Sequence, residues 1–567
     1  MTQRVRMFLN FCKNMERNNY NTFFCYLLIL IYSLIINQYY GNLGLHTLDS
    51  TIGLSNGYRL TFGQTPFIDF WVTSGFLTDV IQSFFFKVFG FNWQAYVFHA
   101  SIFNCFLPIV VFLFLRYLNL NKFNSFLYAL CTATLTYPLA GVLLVDFHSL
   151  ILSTIGLIIY FYSLREKNKL LITLVPLIYI LAFLCKQIPA GYFIVFISIY
   201  STVYCIQQKV TWPILYLTIG SLTSLFLFFI YLWLYGINFS SFFLQYIEFA
   251  LTIFNNSKNS SLLLQLKEIS KIKYFLLIFI IFITNLISAK IKEDKNDFYI
   301  IGMVSILSII IFLTEIFTNN QNVTLGIMPL LIALISTLFI KKENIYSKAK
   351  YLLYFIITII YLRLLIENIY YLSLLPLIYF FISKNKKISN NFSNLFLILL
   401  LIYTSFNYEK FVKVRRFNDI FSNFSNYVPG QEISEKLNYL KWKTNIVNTD
   451  NEVKMISFLL NYENIKDTKV LIVTNLQIFN FLLEKKNQSP VKYWMENKSY
   501  PSKDSPFREN FELFFKNKIK KNRINKILIV KDTDLKLEEF YWLSKCFDLN
   551  QTLNFEIEEY KLNNICS

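Results

Sequence analysis

Apolar runs of about 15 to 22 residues recur along the chain, the length a helix needs to cross a hydrocarbon core of ~30 Å at 1.5 Å per residue. The first covers residues 22–36. A long mixed segment follows, and further runs cover 95–115, 126–145, 150–164, 170–185, 190–206 and 212–235. Beyond these lie 274–289, 298–317, 323–340, 351–382 and 392–406. Arg363, Glu367 and Asn368 interrupt the run at 351–382, and a tight outside turn there splits it into two helices. The pattern predicts a polytopic α-helical membrane protein of about 13 transmembrane helices.

After residue 406 the pattern changes. Val470-Leu471-Ile472-Val473 and Lys526-Ile527-Leu528-Ile529-Val530 read as short buried strands, followed by helical stretches at 478–486 and 536–547. Residues 552–560 alternate like a final edge strand. Neither strand is followed by a glycine-rich phosphate loop, which argues against a nucleotide site. The organisation is therefore a basic N-terminus (1–21), a transmembrane domain (22–406) and a C-terminal α/β domain (407–567).

Charge orients this arrangement. Lys and Arg collect at 116–122, 165–169, 207–209, 290–295, 341–350 and 384–387, while the turns at 146–148 and 318–322 carry none. Basic loops stay on the cytoplasmic side. Arg4, Arg6, Lys13 and Arg17 then keep the N-terminus inside, and an odd helix count leaves the C-terminal domain outside. No small-residue cleavage site follows the first run, so it reads as an uncleaved helix.

Composition agrees. The 567 residues are 55% hydrophobic and 16% charged, too apolar for a soluble domain. The net charge of +19 is accounted for by short basic loops rather than a stripe with interleaved aromatics, which argues against nucleic acid as a partner. Eight cysteines show no metal-ligand spacing, and most lie in or beside apolar runs. Cys546 and Cys566 share the C-terminal domain and would pair if it faces an oxidising compartment.

On this topology several polar side chains reach the outer face. Asp49 lies in the first outside loop (37–94), whose amphipathic stretch Phe76-Leu77…Val80-Ile81…Phe84-Phe85 predicts interfacial helices. Asp146 and His148 occupy a tight outside turn, and Lys186-Gln187 another. Asp69 reads as structural, tying its loop to a neighbouring helix, and Asp79 and Lys87 as the polar face of a surface helix. His46 and His99 read as lone, non-catalytic histidines.

The loop that begins at Asp49 and continues through Tyr58-Arg59-Leu60-Thr61-Phe62-Gly63-Gln64-Thr65-Pro66-Phe67-Ile68-Asp69-Phe70 to Phe89-Gly90 resembles the glycosyltransferase C superfamily. The resemblance is to bacterial members akin to protein O-mannosyltransferases and lipid A aminoarabinose transferases. It is clear over roughly residues 29–191 and only architectural beyond. Two positions depart from the family pattern: Asp49-Ser50 replaces the common Asp-Glu pair, and Thr73-Ser74-Gly75-Phe76 lacks a proline.

The resemblance implies an integral enzyme of a bacterial cytoplasmic (inner) membrane. Such an enzyme moves a sugar from a polyprenyl-phosphate donor to a lipid, glycan or protein acceptor outside. It makes Asp49 the catalytic carboxylate. The chemistry is consistent, because a lipid phosphate already leaves well. What remains is a base for the acceptor hydroxyl and cations for the leaving phosphate. Asp49 fits the base, and Lys186 or Arg59, with Gln187, the phosphate partners. Asp146 and His148 offer a carboxylate and an imidazole, for a divalent cation such as Mg or Mn or for orienting the acceptor. A transporter or flippase of lipid-linked sugars would place its polar residues mid-membrane in repeated halves. A glycan polymerase or ligase would use arginines in large outside loops.

Overall fold

The computed structural model describes residues 19–136, 141–255, a few positions between 376 and 398, 427–444, 449–462, 467, 469–530, 535 and 537–563. Apart from those few positions, the spans expected from 274 onward, the split at Arg363–Glu367 and Cys566 lie outside the described residues. Within them the membrane part is helical: α1 Asn19–Gly41, α2 Asp49–Thr61, α3 Phe76–Phe89, α4 Trp93–Tyr117, α5 Lys122–Thr136, α6 Val145–Arg165, α7 Lys169–Cys185, α8 Gln187–Gln208 and α9 Trp212–Leu234. Five described helices (α1, α4, α6, α8 and α9) contain stretches long and apolar enough to cross a membrane, and α7 is a shorter apolar helix.

Local sequence explains the helix starts. Asn92 caps α4 by accepting from Ala95 N at 2.8 Å, and Asn168 caps α7 by accepting from Leu171 N at 3.1 Å. The run expected at 126–145 forms a helix only to Thr136, and the next helix begins at Val145 rather than at 150. Asp146 and His148 therefore lie in the first turn of α6, not in a turn between helices. Two polar residues in an apolar run mimic a loop, yet they sit comfortably where a helix begins.

Small and polar residues bring α1, α4 and the 141–144 segment together. Asn37 Nδ2 donates to Ser101 Oγ at 2.7 Å and to Gly141 O at 3.3 Å, and Asn104 Nδ2 donates to Asn37 Oδ1 at 2.6 Å. Such links between apolar helices satisfy polar groups that lipid cannot. Gly141 has φ +64°, and a Cβ there would fall 2.3 Å from the Cα of Gly41. Gly141→Ala is expected to destabilise the protein by about 2 kcal/mol or more, through the left-handed backbone and the clash together. The melting temperature of the purified protein checks this, and an unchanged value would mean the two backbones do not touch.

The segment between α1 and α4 carries two helices, α2 and α3, and α3 covers the amphipathic stretch. Its polar side does not face water, however. Thr78, Asp79 and Gln82 are buried, while Phe84, Lys87, Val88 and Phe89 are exposed. The apolar outer side suits an interfacial position.

The C-terminal part is an α/β domain. The strands β1 Val428–Pro429 and β2 Lys441–Trp442 pair antiparallel, followed by α10 Thr449–Asn461. A four-stranded sheet has the order β3-β4-β6-β5, built from β3 Val470–Val473, β4 Lys526–Ile529, β5 Phe547–Leu553 and β6 Ile557–Leu562. Its one parallel pair, β3 with β4, is joined through α11 Arg508–Lys521, as a parallel connection requires. The single edge strand expected at 552–560 is the hairpin β5–β6, which turns where Phe555 and Glu556 adopt positive φ.

This domain seats on the segment between α1 and α4. Lys441 N donates to Asn42 O, and Gly44 N and Leu45 N donate to the carbonyls of Lys441 and Lys443. A second seam runs from Trp71 N to Pro490 O at 2.7 Å. Between the seams α2 presents Thr51, Ser55 and Arg59 at four-residue spacing, one face of a helix. Gln477 N donates to Thr51 Oγ1, Asn487 Nδ2 donates to Ser55 Oγ, and Arg59 donates to the carbonyls of Ser489 and Val491. The two regions also share one apolar core, in which Tyr58, Phe86 and Trp93 meet Trp442, Phe479 and Phe481.

Candidate functional site

Asp49 opens α2, at the end where the helix dipole favours a negative charge. His46 holds the turn before it: Asp49 N donates to His46 Nδ1 at 3.2 Å, and His46 N donates to Ser50 Oγ at 2.9 Å. Ser50 thus closes the turn that presents Asp49. The carboxylate is 42% exposed and lies 4.0 Å from His46 Nδ1, so it is accessible to a reacting partner.

Asp146 and Lys186 form an ion pair, Nζ to Oδ2 at 3.8 Å. Lys186 occupies the extended break between α7 and α8, with φ −158° and ψ 134°. Its carbonyl accepts from Ser149 Oγ at 3.0 Å, which ties that break to α6. Gly75 locks the same corner. Its N–H donates to Cys185 O at 3.0 Å, and a Cβ on it would fall 2.6 Å from Val145 and 3.0 Å from Lys492 Nζ. With φ +75° the position suits glycine on backbone grounds as well.

The C-terminal domain completes this corner. Lys492 Nζ donates to Ser74 O at 2.8 Å and to Asp79 Oδ2 at 2.5 Å, a pair with side chains only 4% and 1% exposed. Burial pushes the Asp79 carboxyl up to about 6 against the pull of Lys492 and Arg59, and burial lowers the Lys492 ammonium. The next residue, Tyr493, lies within the field of both Asp49 and Asp146. Burial first, and then those two carboxylates, push its phenol well above the ordinary range.

The structure therefore places Tyr493 within electrostatic reach of Asp49 and of Asp146, the partner of Lys186. It does not bring the other expected residues there. Arg59 is fully buried, with its guanidinium 4.1 Å over the Phe70 ring and its Nη groups on Asn56, Ser489 and Val491. Burial lowers it to about 9 despite Asp69 and Asp79. It fastens the domain to the loop rather than awaiting a phosphate. Gln187 is also a strut, since its Nε2 donates to Thr73 O and Tyr246 O at 2.8 Å each.

His148 faces away from Asp146, because residues two apart on a helix do not share a face. Its Nδ1 meets Leu144 O at 2.9 Å, its Nε2 meets His99 Nε2 at 3.2 Å, and its ring packs on Phe103. His99 is accordingly not a lone histidine; its Nδ1 meets Gln82 Oε1 at 2.9 Å. The pair expected to supply a cation's donors therefore does not converge. Among the described residues no three His, Cys, Asp or Glu side chains group as metal ligands.

Asp69 does tie its loop to a helix: Oδ2 accepts from Thr65 N, and Oδ1 faces Lys518 and Lys521 on α11. Asp79 departs from the surface role read for it. The buried lysine and the tyrosine that sequence reasoning missed come from a segment, 491–494, with no motif of its own. No protein-family model matches the chain, and no curated protein matches it significantly.

Proposed function

We propose that the chain is a membrane glycosyltransferase that moves a sugar from a polyprenyl-phosphate donor to an acceptor hydroxyl on the extracytoplasmic side. The observation that carries this reading is the accessible Asp49 carboxylate, taken with the Lys186–Asp146 ion pair at the corner that Lys492 of the C-terminal domain closes against Ser74 and Asp79. The first-loop pattern from Asp49 to Gly90 supports it. So does the disulfide at Cys546, whose partner lies outside the described residues, because such bonds persist in oxidising compartments.

In the proposed step the acceptor oxygen attacks the anomeric carbon and Asp49 takes its proton. The bond from that carbon to the phosphate oxygen breaks, and polyprenyl phosphate leaves carrying the electron pair. The single displacement inverts the anomeric centre. Lys186 holds the departing phosphate, and Asp146 holds Lys186. Arg59 and Gln187 have structural roles in this scheme, and no step is routed through a metal, since Asp146 and His148 do not fit one jointly.

The test is turnover of synthetic polyprenyl-phosphate-sugars by the purified full chain in proteoliposomes, with candidate acceptors supplied outside. Release of polyprenyl phosphate together with an inverted glycoside is expected. Movement of intact donor across the bilayer without bond cleavage would instead identify a flippase. Lys186→Met is expected to lower the rate about 10²-fold, the order seen when a donor to developing negative charge is removed.

A further inference from the structure

Ten residues along α2 from Asp49, and so about 15 Å further on, Arg59 marks a second charged cluster. Lys518 and Lys521, one turn apart on α11, place their Nζ atoms 3.7 and 3.5 Å from Asp69 Oδ1. Lys486 adds a third ammonium that acts on the same carboxylate. Arg59 lies close enough to act on Lys518 as well, although its Nη groups are taken by Asn56, Ser489 and Val491.

Charge and hydrogen bonding do not close here. With Lys518 protonated, three lysines against one aspartate leave a surplus of two positive charges before Arg59 is counted. Lys518 is 3% exposed, and its Nζ makes no hydrogen bond among the described residues. A buried ammonium without an acceptor is costly. Lys521 is 64% exposed, so the cluster opens to solvent on one side.

We propose that the cluster of Lys486, Lys518 and Lys521 beside Asp69 binds the dianion of a phosphate monoester. Such a group carries about −1.5 to −2 charges and three acceptor oxygens, which matches the surplus and gives Lys518 an acceptor. Ammonium groups bind phosphate as point charges. A single carboxylate would repeat what Asp69 already supplies and leave one charge over. Burial, with Arg59, lowers Lys518 to about 7, and a bound dianion would raise it again. The inference stands apart from glycosyl transfer, because none of these lysines belongs to the Asp49 corner.

The test uses the full chain in nanodiscs of phosphatidylcholine, with or without a minor fraction of phosphatidic acid. Inorganic phosphate is titrated against the melting temperature, with sulfate as a control for charge. Lys486→Gln with Lys521→Gln leaves the buried Lys518 in place, and melting without phosphate checks that the fold survives. A saturable phosphate-induced rise is expected in phosphatidylcholine discs, with the apparent affinity about tenfold or more weaker in the double variant. A soluble ester is the natural ligand if both discs respond alike. If phosphatidic acid alone raises the wild-type melting temperature, and does so less in the double variant, the ligand is a lipid headgroup. No saturable response to either source, an equal response to sulfate, or an unchanged response in the double variant overturns the proposal.

Discussion

Lys492→Met is expected to destabilise the protein by about 3–5 kcal/mol, because it strands a buried carboxylate without its partner. Asp79 is 1% exposed, and water cannot replace the lost ammonium. The carboxyl would respond by taking up a proton, toward which burial already pushes it. That limits the penalty without removing it. The pair is also the only ion pair described between α3 and the C-terminal domain, so the loss should loosen their contact. Thermal unfolding of the purified chain measures the first effect, and protease release of the C-terminal domain the second. Asp79→Leu combined with Lys492→Met should recover most of the loss, since an apolar pair of similar volume often does as well as a buried ion pair. A single variant that melts like the wild type would show that the pair does not hold the domain.

Why this pair was illegible in sequence follows from what hydropathy encodes. The α3 stretch from Phe76 to Phe89 announced its helix and its two faces. It did not say what the polar face would meet. Asp79, Thr78 and Gln82 face protein, and the apolar Phe84, Val88 and Phe89 face outward. Arg59 was misplaced for a related reason. Its carbonyl partner on Val491 stands 432 positions away, and no local pattern reports that distance. The start of α6 was missed because polar residues at its first turn resemble a loop. Periods of 3.6 and 2 did carry the long helices and the strands β3 and β4. Of the candidate site, the pairing of Asp146 with Lys186 followed from their expected placement, while Tyr493 had no signal.

Asp49→Asn is expected to lower the rate of sugar transfer about 10²–10⁴-fold, the contribution of a positioned general base. The substitution preserves shape and removes the basic oxygen. Its effect on folding should be small, because a carboxylate in the first turn of a helix contributes only about 0.3–1 kcal/mol. His46 and Ser50 hold the turn through the backbone N–H groups of Asp49 and His46, which the change leaves intact. Initial rates of polyprenyl phosphate release, read beside the melting temperature, separate the two effects. Full activity in the asparagine variant would remove Asp49 from the mechanism, and loss of both activity and fold would move its role to structure.

The two backbone seams that flank α2 have a consequence for biosynthesis. The helix that presents Asp49 is made early, yet residues 441–443 and 487–491 complete its surroundings. At about 5–20 residues per second, a gap of 432 positions means on the order of 20–90 s between synthesis of the two partners. Throughout that interval the nascent loop exposes Thr51, Ser55 and Arg59 without their bonds to the C-terminal domain. A ribosome that stalls before residue 441 would leave a chain already threaded into the bilayer but with the proposed site unfinished. Activity in the cell should therefore lag behind insertion by the time needed to translate the rest.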